Sequence, residues 1–181
     1  MRALSLRLTP QSSVPSRSKQ WPLVALAGPA SDGLSAVETI PMKFGLAFAS
    51  SIAVGHESAM EICRRAEAAG FESLWGGEHV ILPSTIDSRY PYTADGKIPA
   101  EPETPIPDPL IWLAFAAAAA PSMRLGTCIL IVPQRNPLIL AKELATLDQL
   151  SGGRVELGLG VGWLREEFDA LGVPWERRGA R

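Results

Sequence analysis

From Met42 onward the apolar positions recur with two alternating periods. Residues 43–48, Lys-Phe-Gly-Leu-Ala-Phe, read as a first strand. Ala59, Ile62, Cys63 and Ala66 then repeat at helical spacing, with Ser58 and Glu61 placed as a capping box and Gly70 as a stop. Residues 71–75 predict a second strand, 110–120 an alanine-rich helix closed by Pro121, and 124–132 a third strand. Asn136 and Pro137 suit an N-cap and a first helical turn. Leu140, Ala141, Leu144, Leu147 and Leu150 continue the buried side of that helix until Gly152. Residues 154–160 predict a fourth strand and 166–171 a further short helix.

This alternation gives βα units, so the sheet is expected to be parallel. Parallel α/β sheets place ligands beyond the carboxyl ends of their strands. Gly158, Gly160 and Gly162 stand at such an end, where a ligand would approach the backbone. In the fourth strand Val155, Leu157 and Leu159 form an apolar face that fits under helices. Its other face is small and polar, as a barrel interior or a ligand floor would be. The glycines also suggest a dinucleotide fingerprint. However, Trp163 stands where the third glycine of G-x-G-x-x-G belongs, and the acidic strand end that should follow is missing.

Residues 1–41 lack this patterning. They hold seven serines, four prolines before Pro41, and four basic residues against two acids. They are expected to form a poorly structured extension. Arg2, Arg7, Arg17 and Lys19 precede the apolar run WPLVALA, which sketches a targeting segment, but Pro22 and Gly28 interrupt that run. A coding start at Met42 is the simpler account. Between the second strand and the alanine-rich helix, residues 83–109 carry seven prolines, so they are expected to form a long loop of the kind that often serves as a lid.

Composition adds exclusions. Hydrophobic residues are 46% and charged residues 20%, with a formal net charge of −2, which points to neither nucleic-acid nor membrane binding. Two cysteines, Cys63 and Cys128, cannot build a disulfide framework or a metal knuckle, and both are expected to be buried, reduced thiols. A cytoplasmic location is the default expectation.

Several runs resemble one family. Leu74-Trp75-Gly76-Gly77-Glu78-His79 is similar to a strand-end element of the luciferase-like monooxygenase superfamily. So are Arg124-Leu125-Gly126-Thr127, Pro133-Gln134-Arg135-Asn136-Pro137 and the stretch from Leu147 to Val155. Gly158-Leu159-Gly160-Val161-Gly162-Trp163 with Glu166-Glu167-Phe168 completes the likeness, which covers 42–181. The wording is most similar to members that use the deazaflavin coenzyme F420. The resemblance implies a TIM (β/α)8 barrel with a flavin or deazaflavin at the carboxyl ends of its strands. On that reading 42–181 is the N-terminal half, truncated after about four βα units, because a complete barrel has eight strands in roughly 250 residues. The family's main cofactor-phosphate site comes from later strands. Open sheet edges predict that the chain aggregates, pairs with a second copy, or stays partly molten.

The implied activity is F420-dependent hydride transfer to or from a small organic substrate. The alternatives are an FMN-dependent monooxygenase of the same fold and a non-catalytic half-barrel. His79, just past a strand end, is the expected proton donor or acceptor and faces the cofactor ring in the resemblance. Glu78 is expected to orient His79 or contact the ring. Thr127-Cys128-Ile129 matches the place where the family carries a non-proline cis peptide behind the ring. Gly160 and Gly162 are expected to give ring or substrate close access to the backbone. Trp163 cannot act as acid or base. His56 is expected on a surface turn.

Overall fold

The computed structural model describes residues 42–180. The expected extension over 1–41 lies outside the described residues. The elements are β1 (Gly45–Leu46), α1 (Ala49–Ile52), α2 (His56–Ala68), β2 (Ser73–Gly76), α3 (Pro109–Ala119), β3 (Arg124–Ile131), a 3-10 turn (Val132–Gln134), α4 (Pro137–Ser151), β4 (Val155–Gly160) and α5 (Arg165–Ala170). The four strands are parallel and lie in sequence order, with Gly45 opposite Ser73, Ser73 opposite Arg124 and Leu125 opposite Val155. Each strand joining its predecessor through a helical crossover is the arrangement of a barrel, here a partial one of four strands.

Most predicted elements form where the pattern put them. Asn136 caps α4, its side chain accepting from the N–H groups of Leu138 at 3.0 Å and Ile139 at 3.3 Å. Gly152 closes α4 in the left-handed conformation, φ 71°. The apolar stripe of α2 buries Ala59, Cys63 and Ala66, which pack with Leu74 and Leu125 from the sheet and Leu113 and Ala116 from α3. Trp112 joins this core and satisfies its indole N–H on the Ala53 carbonyl at 3.0 Å.

Four local expectations are corrected. Helix α2 begins at His56 with Gly55 as N-cap, so Ser58 lies inside the first turn and its hydroxyl donates back to the Gly55 carbonyl at 2.9 Å. The first strand pairs only at Gly45–Leu46, because Phe48 adopts a left-handed conformation, φ 54°, and turns the chain into α1. On α4, Ala141 and Leu150 face outward although Leu140 and Leu147 are buried. In β4, an edge strand among the described residues, Leu157 and Leu159 are exposed rather than packed under helices. His56 is exposed, as expected, at the start of α2, with its ring edge on Phe115.

One residue fastens the sheet end remote from the site. Arg154 precedes β4 and donates to four carbonyls: Ser151 at 2.6 Å, Ala117 at 2.8 Å, Ala120 at 3.0 Å and Met123 at 2.5 Å. These are terminal acceptors of α3 and α4 and of the turn between α3 and β3, which have no helical partner of their own. A single planar cation thus closes two helix ends and the start of a strand. Replacement of Arg154 by Met removes these bonds, leaving the Ala120 carbonyl only a 3.4 Å bond from the Met123 N–H, and should cost about 2–4 kcal/mol. Thermal unfolding should show a fall in Tm of roughly 5–15 °C, with partial recovery for Arg154→Lys.

Candidate active site

The carboxyl ends of the strands meet in a cleft of about 440 Å³. Phe48 and Ser51 enter after β1, Gly77 to His79 after β2, Cys128, Ile129 and Ile131 from β3, and Leu159 to Trp163 from the end of β4. The long loop adds Tyr90, Tyr92 and Ile106. This loop has no helix or strand, and its proline content accounts for that.

His79 lies at the cleft with its side chain 13% exposed. Its Nδ1 is 3.2 Å from Oε2 of Glu167, an α5 carboxylate only 1% exposed. The other oxygen of Glu167 accepts from the N–H groups of Val80 at 2.5 Å and Ile81 at 3.4 Å. Burial works against ionisation of Glu167, but interactions with His79, the Gln134 side chain and the Val80 N–H outweigh it and hold its pKa below the ordinary carboxylate value. Trp163 meets the His79 ring edge-on at 5.9 Å and Tyr90 at 4.9 Å, so the imidazole is walled on one side by aromatic rings.

Glu78 makes no hydrogen bond to His79, which corrects the first of the two roles expected for it. Its carboxylate accepts from the Ile131 N–H at 2.5 Å and from Arg135, whose Nε lies 2.8 Å away. Arg135 also pairs with Asp108 at 2.6 Å, while Asp108 caps α3 through the N–H groups of Leu110 and Ile111. Burial pushes the Glu78 carboxyl above its usual range, against the pull of the Ile131 N–H and Arg135. Glu78 borders the cleft, yet its hydrogen bonds lock the ends of β2 and β3 to the start of α3.

The peptide bond between Cys128 and Ile129 is cis, at the place the resemblance indicated. Cys128 and Ile129 both line the cleft. Cys128 is exposed, which corrects the expectation of two buried thiols; Cys63 is buried, and burial raises its pKa to about 11. Thr127 is a second correction: it is 1% exposed and does not border the cleft. Its hydroxyl donates to the Gly158 carbonyl at 2.8 Å and accepts from the Gly158 N–H at 3.1 Å, tying β3 to β4.

Gly160 and Gly162 both reach the cleft, and they differ in character. A Cβ on Gly160 would fall 1.7 Å from the tip of Ile129, inside the cleft wall. Gly162 has φ 77° and its missing side chain makes room for Phe168 and Ile131, so both its conformation and its packing require glycine.

The sequence reading left Glu167 and the two tyrosines without a role. A signal existed for Glu167: Glu167 and Phe168 on α5 and Leu164 at its N-cap are spaced at a helical period, and all three are buried. An acid in phase with buried apolar residues must find a buried partner. Nothing comparable marks Tyr90 and Tyr92 within a loop that has no period.

Among the described residues no group of acids, histidines and cysteines could hold a metal ion, and no helix is long and apolar enough to cross a membrane. The chain matches the family model for luciferase-like monooxygenases over residues 42–181. It belongs to the luciferase-like monooxygenase family. An uncharacterized protein of Mycobacterium tuberculosis is 37% identical over 115 residues, covering 64% of this chain and 41% of that protein. The chain therefore spans about two fifths of the length of such relatives. Among solved structures, a monooxygenase from Streptomyces bottropensis is 27% identical with a TM-score of 0.51, over 77% of this chain and 39% of that one. The oxygenating constituent of 3,6-diketocamphane monooxygenase from Pseudomonas putida, solved with FMN, shares the fold. It has a TM-score of 0.56 at 20% identity and covers 75% of this chain and 34% of that chain.

The neighbour of Glu167 holds the long loop. Glu166 accepts from the N–H groups of Asp87 at 2.7 Å and Ser88 at 2.8 Å, and the Ser88 hydroxyl accepts from the Arg165 N–H at 3.2 Å. Burial works against the Glu166 carboxylate, but its own N–H and those of Ser88 and Asp87 prevail and bring its pKa from 4.5 down to about 2. A carboxyl depressed by folding contributes stability that is complete above its unfolded value and is lost as pH falls through its folded value. The Asp87 and Ser88 amides should therefore keep constant hydrogen-exchange protection from neutral pH to 4.5 and lose it as pH falls towards 2. Glu166→Gln should show reduced protection at these two amides already at neutral pH.

Proposed function

We propose that this chain forms the His79 side of an oxidoreductase site that uses coenzyme F420 to transfer hydride to or from a small organic substrate. The observation that carries this reading is the convergence of His79, Cys128, Ile129 and Gly160 on one cleft, with the Ile129 side chain lying in the space that a side chain at residue 160 would fill. The F420 preference rests on the wording of the motifs between Pro133 and Trp163.

The residues present fit a flat heteroaromatic ring. The cleft is within the 300–1,000 Å³ of typical small-molecule sites. Ile129, Leu159 and Val161 offer apolar contact, and all three are partly exposed. The absent side chains of Gly77 and Gly160 let Phe48 and Ile129 lie close over the backbone, since a Cβ would come 3.1 Å from the Phe48 ring and 1.7 Å from the tip of Ile129. When bound, the cofactor would supply the hydride chemistry itself. The chain's part is to bind and orient: Ile129 and Gly160 form the floor, and Trp163 and Tyr90 wall one side of His79. His79 takes up or releases the proton that accompanies hydride transfer to a carbonyl or from an alcohol. Trp163, having no titratable group, shields that exchange from water.

FMN-dependent oxygenation is the second reading. The observation in its favour is the likeness, at 27% identity, to a monooxygenase from Streptomyces bottropensis. Fluorescence titration separates the two: F420 should bind with saturation and FMN weakly, and the reverse order would transfer the assignment to FMN. In a form that spans the length of the relatives, His79→Ala should lower turnover by about 10²–10⁴-fold while cofactor affinity stays near that of the parent. Turnover within a few-fold of the parent between pH 6 and 8 would remove His79 from the chemistry.

A further inference from the structure

Among the described residues Glu167 is the most deeply buried acid; it lies behind His79 rather than in the cleft lining, and nothing in the reading above requires a buried acid there. Its two oxygens have different tasks. Oε1 meets the backbone N–H of Val80, with Ile81 further off, and Oε2 meets Nδ1 of His79. An ionised carboxylate is acceptor-only. Its bond to Nδ1 therefore requires a proton on Nδ1. The ring's other nitrogen, Nε2, then carries the lone pair.

The geometry points to Glu167 as the positioning residue of this site: it fixes the proton of His79 on Nδ1 and so leaves Nε2 as the nitrogen that gains and loses a proton at the cleft. This inference rests on the reading of His79 as the proton-handling group. Three features of the surroundings support it. Glu167 is held on the buried face of α5 between Leu164 and Phe168, both fully buried, so the carboxylate has little freedom to turn away. The same carboxylate grips the backbone just after His79, so ring and main chain are set by one group. Trp163 packs edge-on against the imidazole and limits its rotation. The only other acid adjoining His79 in sequence, Glu78, is committed to Arg135 and Ile131.

The test turns on a difference between a carboxylate and an amide. In Glu167→Gln the amide oxygen must stay on the Val80 N–H, which can only donate. The amide NH2 then faces Nδ1, and that nitrogen has to accept. The proton should move to Nε2. The chain has two histidines, so nitrogen-15 labelling gives two ring systems, and His56→Asn tells them apart. Above the titration of the rings, the parent should show a protonated Nδ1 and a bare Nε2 at His79, and Glu167→Gln should show the opposite. In a form that spans the length of the relatives the same variant should reduce kcat by about 10²-fold or more with KM little changed, and Glu167→Asp should recover part of that loss.

A parent protein with the proton on Nε2, or an unchanged tautomer in Glu167→Gln, overturns the inference. If Glu167→Gln does not fold, the tautomer of the parent decides alone. The nitrogen spectra need neither cofactor nor turnover. A failure to bind F420 and FMN would sink the proposed function and leave this result standing.

Discussion

Backbone amides at the carboxyl end of a parallel sheet have to be satisfied, and here carboxylates do it. Strands that stop at a cleft release N–H groups that no neighbouring strand can accept. Glu78 takes the amide of Ile131, Glu167 those of Val80 and Ile81, Glu166 those of Asp87 and Ser88, and Asp108 those of Leu110 and Ile111. The opposite end of the sheet has the opposite need. There Arg154 answers four carbonyls with one guanidinium. The domain is thus held by acids on the side where chemistry is expected and by a base on the other side.

This division explains why charge and catalysis are hard to separate by inspection. Glu78 stands directly beside His79 in the chain and was the natural candidate to serve it. Successive residues leaving a strand point in different directions, so Glu78 turns into the core towards Arg135. The acid that reaches the imidazole arrives from 88 residues away. Adjacency in sequence misled here, whereas the phase of α5, with Leu164, Glu167 and Phe168 on one side, held the information.

The legible and illegible parts of the chain differ in physical kind. Helical period, the Asn136 cap and the Gly152 stop depend on neighbours within a turn or two, so α2 and α4 could be placed from the sequence. The location of the cis peptide and the barrel class came from resemblance, since nothing local to Thr127-Cys128-Ile129 reports either. What escaped depends on distant partners. Thr127 looked like a cleft residue until Gly158 was found on its hydroxyl, and Leu150 looked buried because its spacing matched Leu140 and Leu147. The prolines between 83 and 109 announced a loop but not that Tyr90 would lean on Trp163.

The irregularity in β3 has a further meaning. Thr127 is opposite Leu157, while Leu130 is opposite Leu159, so three steps along β3 match two along β4. A regular strand sends successive side chains to opposite faces. The additional residue breaks that rule once, and Cys128 and Ile129, although adjacent, both reach the cleft. Thr127 and Leu130 on either side remain buried and keep the sheet aligned. The strand thus divides its labour within four residues. The outer two keep the register, and the inner two face the cleft, with Ile129 lying against Gly160 of the neighbouring strand.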